Sequence, residues 1–269
     1  MALPCKIGFI GGGAMAEAIV AGLLHSDTIA ADKVYVSDHK EARAEELRTH
    51  YAIHAGVGAD GFLNEADVLV LAVKPQAAGK AIEEIAGNIE QGTLIISIVA
   101  GLTLARLEAA FPQNPVVRVI PNTPLAVGAG ISAFSSGTRV RAEHMALVQQ
   151  IFSAGGRAVA VKETMMDAVT GLSGSGPAFA FLMLDALADG GVAAGLPRQT
   201  ARLLAAQTLL GAAKMALDTG KHPDVLRDEV TSPAGTTIAG VRVMEQRGVR
   251  GALLDAVLAA SDRSKELGK

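Results

Sequence analysis

The chain has 269 residues, half of them hydrophobic, 19% charged and 3% aromatic, with a formal net charge of −3; this excludes a disordered chain and leaves no basic or stacking face for nucleic acid. A mean hydropathy of +0.34 is not that of a membrane protein, since Asp185 and Asp189 interrupt the most apolar long stretch, 177–196. The single cysteine, Cys5, and strand-like sequence from Lys6 onward point to a reducing, cytoplasmic setting without a leader.

Short β-branched runs alternate with helical patterns through the first half. The strands are expected at 6–10, 34–37, 68–73, 94–99 and 116–120, and the helices at 14–24, 40–49, 80–89 and 104–111. Two further strands, 131–134 and 158–161, flank a helix that begins near Arg141. This alternation implies parallel βαβ units and a sheet covered on both faces. From about Thr164 no strand pattern remains. One long helix is expected over 164–194 with a kink at Pro177, then helices at 198–217, 223–229, 236–247 and 251–267. A domain boundary falls near Lys162, giving units 1–162 and 163–269. The segment 178–213 is apolar on more than one face, so a second subunit is expected to cover it.

Gly11, Gly13 and Ala16 fill G-x-G-x-x-A between the first strand and first helix. Gly11 permits the tight turn, Gly13 lets a pyrophosphate reach the backbone, and Ala16 allows close helix–strand packing. The helix start at Ala14 and Met15 then offers amide donors to phosphate. The second strand ends at Ser37-Asp38-His39-Lys40. Asp38 suits the ribose hydroxyls of NAD, whereas Ser37, His39, Lys40 and Arg43 suit the 2′-phosphate of NADP; the two signals conflict. Lys74, on the carboxyl edge of the third strand, is either cofactor-facing or a solvated loop lysine.

Two later segments stand out. Ser232-Pro233-Ala234-Gly235-Thr236-Thr237 precedes a helical pattern, with Ser232 as the expected N-cap and Pro233 in the first turn. Its amides would suit a carboxylate and Thr237 adds a hydroxyl. Gly171-Leu172-Ser173-Gly174-Ser175-Gly176-Pro177 interrupts a good helix, which calls for close packing or ligand contact in compensation. His25, His39, His50, His54, His144 and His222 show no metal-ligand spacing, and no nucleophile elbow or Walker A run occurs.

Together, IGFIGGGAMA, AVKP, NTP, DAVTGLSGSGP, DALADGG, GLP and SPAGTTI resemble the pyrroline-5-carboxylate reductase family over nearly the whole chain. The resemblance implies a Rossmann-type α/β dinucleotide-binding domain followed by an all-α dimerisation domain. It implies reduction of the cyclic imine 1-pyrroline-5-carboxylate to L-proline with NADPH or NADH, by a homodimer that can assemble into a pentamer of dimers. Cofactor contacts would come from Gly8, Phe9, Ile10, Gly11, Gly12 and Gly13. Ser37, Ala72, Val73, Lys74 and Pro75 would join them, as would Ile98, Val99 and Ala100. On the substrate side it implies Glu163, Ser232, Gly235, Thr236 and Thr237, with the Thr237 hydroxyl as the catalytic group at the ring nitrogen. The run Ser37-Asp38-His39 departs from the family's usual phosphate-reading sequence. Gly211-Ala212-Ala213-Lys214 begins the G-x-x-K-x-x-N pattern of β-hydroxyacid dehydrogenases, but Leu217 replaces its Asn. A reductase for another cyclic imine and a non-catalytic dinucleotide sensor are the other readings.

Overall fold

The computed structural model describes residues 2–59 and 61–268. Its backbone contacts divide it into two compact units, one running through Ser175 and including the chain from Ala259 onward, the other Gly176–Leu258.

The first unit is built on one eight-stranded sheet: β1 (Ile7–Ile10), β2 (Val34–Ser37), β3 (His54–Gly56), β4 (Val68–Leu71), β5 (Leu94–Ser97), β6 (Val116–Ile120), β7 (Gly130–Ser136) and β8 (Gly156–Ala160). The spatial order is β3-β2-β1-β4-β5-β6-β7-β8. The period-2 geometry of a strand explains how both faces are filled. Ile7 and Phe9 of β1 point into one apolar layer with Ile19 and Leu23 of α1 (Ala14–His25) and Val148 and Phe152 of α5 (Ala142–Ser153). Ile10, Leu71 and Ile95 face the other layer, against Ile85 of α3 (Ala78–Ile85) and Leu107 of α4 (Leu104–Ala110). A sheet buried on both faces needs continuous apolar strands, which is why β1, β4 and β5 read as unbroken runs.

Three features depart from the sequence reading. β3 follows α2 (Glu41–Tyr51) and pairs with β2, with Tyr35 in register with His54. Three residues ending in glycine carry too little β-branched character to announce a strand. Next, β6 and β7 pair antiparallel while the first six strands run parallel. The short 121–129 connection permits only that direction, because a parallel return needs a longer crossover. Finally, the expected single helix 164–194 is interrupted. A 3₁₀ turn (Glu163–Met165) leads to α6 (Met166–Val169), a π-helical turn (Thr170–Gly174) and then α7 (Gly176–Ala193). Met166 is fully buried and Asp167 accepts a hydrogen bond from Ser264 at 2.7 Å, so 163–175 packs with the first unit.

The second unit holds α7, α8 (Arg198–Thr219), α9 (Pro223–Glu229), α10 (Thr236–Gln246) and the first part of α11 (Val249–Leu267). α7 and α8 approach closely through small residues: Ala188, Ala201 and Ala205 are buried, and a Cβ on Gly191 would lie 3.1 Å from that of Ala201. The large apolar side chains stay outside, Phe181 at 64% and Leu182 at 73% exposed.

Candidate active site

β1 has β2 on one side and β4 on the other, so successive connections leave it in opposite directions. Such a switch point opens a crevice at the carboxyl edge of the sheet. A cleft of about 740 Å³ lies there, lined by Ile10 and Gly11 after β1, Ser37, Asp38 and His39 after β2, Gly58 after β3, Val73 after β4, and Lys80 and Glu84 on α3.

The glycines have separable causes. Gly11 has φ +103°, and a Cβ there would lie 2.7 Å from the Ala72 carbonyl, so the turn and the close approach to β4 both demand glycine. A Cβ on Gly8 would meet the Phe62 ring at 2.4 Å, which makes Gly8 a packing residue. A Cβ on Gly13 would meet no atom within 4 Å. Gly13 is the N-cap of α1 and supplies no side-chain cap, so the first-turn amides of Ala14, Met15 and Ala16 lack intrahelical partners. A bare, open helix start is a cradle for an anionic phosphate, and the residues fit a dinucleotide.

The Gly12 peptide is held from both sides. Its N–H donates to Asp38 Oδ2 at 2.9 Å, and its carbonyl accepts from Arg43 Nε at 2.7 Å. Asp38 Oδ1 also accepts from the Lys40 amide at 2.9 Å. The other Arg43 nitrogens bond Glu17 and Glu46, and Tyr51 donates to Glu17 at 3.0 Å. The bond from Arg43 holds the Glu17 carboxyl below the usual carboxylate range; burial opposes it, and the bond from Tyr51 adds a smaller lowering. Burial, followed by the bond to Glu17, pushes the Tyr51 hydroxyl up.

The remaining residues named for the cofactor gather at the same sheet edge. Ala72 donates to the Ile10 carbonyl at 2.8 Å and Ile98 to that of Leu71 at 3.1 Å. Lys74 and Ala100 are exposed, Val99 is buried, and Pro75 opens a 3₁₀ turn (Pro75–Ala77). Phe9 is fully buried in the core, so only its backbone faces the edge.

On the substrate side the structure corrects one element. Gly235, not Ser232, is the N-cap of α10. Ser232–Gly235 forms a tight turn, with the Gly235 amide donating to the Ser232 carbonyl at 3.1 Å and Ala234 at φ +57°. Pro233 is spent at the second position of that turn, the position its fixed φ suits, instead of in the first helical turn. A Cβ on Gly235 would lie 2.3 Å from Ser232 Oγ. The start of α10 has no side-chain cap, which leaves the amides of Thr236, Thr237 and Ile238 open. Glu163, in the first unit, has partners the sequence did not suggest: its Oε1 accepts from the Leu104 amide at 2.7 Å and from Arg118 at 3.3 Å. Among the described residues no three His, Cys, Asp or Glu side chains are grouped to hold a metal.

Residues 163–267 match the family model for pyrroline-5-carboxylate reductase dimerisation, and residues 6–101 match that for NADP oxidoreductase, coenzyme F420-dependent. A pyrroline-5-carboxylate reductase of Synechocystis is 47% identical over 264 residues, 98% of both chains. This chain belongs to the pyrroline-5-carboxylate reductase family. The solved reductase of Coxiella burnetii superposes with a TM-score of 0.92 at 35% identity, over 99% of this chain and 100% of that one. That of Plasmodium falciparum, solved with NADP bound, gives 0.90 at 30% identity over the full length of both. As a pyrroline-5-carboxylate reductase the chain is an NAD(P)H-dependent oxidoreductase that reduces 1-pyrroline-5-carboxylate to L-proline, the last step of proline biosynthesis. It carries the family's dimerisation domain and acts as a homo-oligomer on a small-molecule substrate.

Proposed function

We propose that the reduction is divided between the two open helix starts. The sheet-edge cleft would hold the dinucleotide, Gly11 to Met15 taking its phosphates and Ser37 and Asp38 its adenosine end. The strand ends at Ile10, Ala72 to Pro75 and Ile98 to Ala100 would shape the nicotinamide end, with Gly8 and Phe9 behind them in β1 contributing through packing and backbone only, and the cofactor would supply the hydride that reaches the imine carbon. The substrate carboxylate is taken by the turn and helix start at Ser232, Gly235, Thr236 and Thr237, where open amides and the helix dipole favour an anion. Glu163 contacts the substrate through Oε2, its Oε1 being engaged by Leu104 and Arg118.

The observation that carries this reading is the start of α10. It presents open amides beside the Thr237 hydroxyl. An iminium carbon is already electrophilic, so the protein mainly has to orient the ring and keep its nitrogen protonated. Thr237 does both by hydrogen bonding at that nitrogen. Thr237→Ala should lower kcat by more than about tenfold, with cofactor affinity and thermal stability unchanged, and Thr237→Ser should restore most of the rate. Wild-type kinetics in the alanine variant would remove Thr237 from the chemistry.

The functional units are 1–162 for dinucleotide binding and 163–269 for dimerisation and substrate binding, which the limits of the family-model match support. The helical stretch Glu163–Ala193 is long and apolar enough to cross a bilayer by composition. We assign its apolar face to a second copy instead, because Asp185 and Asp189 lie within it and Asp189 is paired with Arg198. The protein is then cytoplasmic, without membrane contact, and assembles as a pentamer of dimers. Sedimentation should find ten copies of the 27.5 kDa chain; a stable dimer alone would reject the larger assembly.

A further inference from the structure

We infer that Asp38 makes this chain an NADH-preferring reductase, taking the adenosine ribose hydroxyls on its carboxylate and repelling a 2′-phosphate. The inference rests on the dinucleotide reading of the sheet-edge cleft. Three observations carry it.

Asp38 is in the right place and cannot leave it. It follows β2 directly and lines the cleft with Gly11. Its two oxygens are anchored to the Gly12 and Lys40 amides, both at 2.9 Å, and its side chain is only 10% exposed. Each carboxylate oxygen has two acceptor sites, so capacity remains for a ribose hydroxyl. Turning the carboxylate away to admit a phosphate would strip the Gly12 amide of its acceptor and loosen the glycine turn itself.

The cation best suited to a 2′-phosphate is occupied. Arg43 spends Nε on the Gly12 carbonyl and its other two nitrogens on Glu46 and Glu17. Three of its five N–H donors are spent and its charge is shared by two carboxylates, so the guanidinium offers a phosphate little net attraction. Releasing it would break two ion pairs and free the same glycine peptide.

The other charged groups that line the cleft are paired. Lys80 lies 3.6 Å from Glu84, and both line the cleft. His39 Nδ1 lies 3.3 Å from Asp38 Oδ1, so a charge on that imidazole is already countered. Lys40 is exposed and contributes its amide to Asp38. A phosphate monoester carries about −1.5 to −2 charges at neutral pH. At this rim it would meet an anchored carboxylate with no free arginine to offset it. Ser37, a neutral hydroxyl, suits either cofactor.

The test is equilibrium binding of NADH and NADPH to the intact oligomer without substrate, followed by nicotinamide fluorescence at several ionic strengths. NADH should bind at least about tenfold more tightly, and the gap should narrow as salt screens the repulsion. Asp38→Asn keeps an oxygen for the Gly12 amide and removes the charge, and should shift the ratio toward NADPH by about tenfold or more. The kcat/KM ratio for the two cofactors should move in parallel. Equal or tighter NADPH binding by the wild-type protein, or a gap that widens with salt, would overturn the inference even if the variant failed to fold. An unchanged ratio in a folded Asp38→Asn protein would do the same. Binding of neither dinucleotide would overturn the cleft reading and this inference with it.

Discussion

The Gly12 peptide shows how much of the site is settled by single contacts. Asp38 holds its N–H, Arg43 holds its carbonyl, and Glu17 holds Arg43. Because the folded-state pKa of Glu17 is depressed, its contribution is complete above the unfolded carboxylate value and is lost as pH falls through the folded one. Glu17→Gln should therefore cost about 1 kcal/mol at neutral pH, the scale of a partly exposed ion pair. The difference from wild type should close in acid. Denaturant unfolding of both proteins across a pH series checks this, and a gap that persists below the carboxylate range would assign the effect to packing. Gly11, Gly13 and Ala16 were legible in the sequence because a turn and a helix start need those residue types at that spacing. The partner of Arg43 was not: a residue in α2 that clamps a turn 31 positions earlier leaves no periodic trace. The sequence around Ser232 is ambiguous for a related reason, since Ser-Pro suits both a helix cap and a tight turn, and only the positive φ at Ala234 separates them.

Among the elements, the π-helical turn explains the oddest stretch of sequence. Ser175 donates to the Thr170 carbonyl at 2.8 Å, five residues back. Pro177 has no N–H, so the Ser173 carbonyl loses the donor an α-helix would give it. The Asn122 amide supplies one at 3.1 Å, while Asn122 Oδ1 accepts from Ile131 at the start of β7, at 2.9 Å. One buried side chain thus ties the end of β6 to both the helix break and the next strand. Asn122→Ala leaves two backbone groups without partners and should cost about 2–6 kcal/mol at about 1–3 per group. It should also speed amide exchange around 170–177, and a loss under 1 kcal/mol would contradict this. The glycines and the proline announced an interrupted helix but not the kind of interruption. A kink and a widened turn use the same residues, and the donor that serves the open Ser173 carbonyl comes from Asn122, about fifty positions away.

At the scale of the molecule, the second unit is an incomplete structure by itself. It buries only alanines between α7 and α8 and leaves Phe181, Leu182 and Leu203 open. Covering each such side chain is worth about 1.5–3 kcal/mol, which is the driving force for the family's dimer. Phe181→Asp with Leu182→Asp should dissociate the oligomer in sedimentation and abolish turnover; a variant of unchanged mass would place the interface elsewhere. The need for a second copy was legible, since 178–213 is apolar on more than one face. The limits of the packing units were not, because 163–175 and the end of α11 return to the sheet through contacts as distant as Asp167 with Ser264.

The chain reduces a five-membered cyclic imine with a nicotinamide cofactor. The most direct test follows loss of nicotinamide absorbance and formation of L-proline with 1-pyrroline-5-carboxylate, using NADH and NADPH in turn, for wild type and Thr237→Ala. Stoichiometric proline and cofactor oxidation, faster with NADH and more than about tenfold slower in the variant, is the predicted result. Dinucleotide binding by an intact oligomer that forms no proline with either cofactor would contradict it.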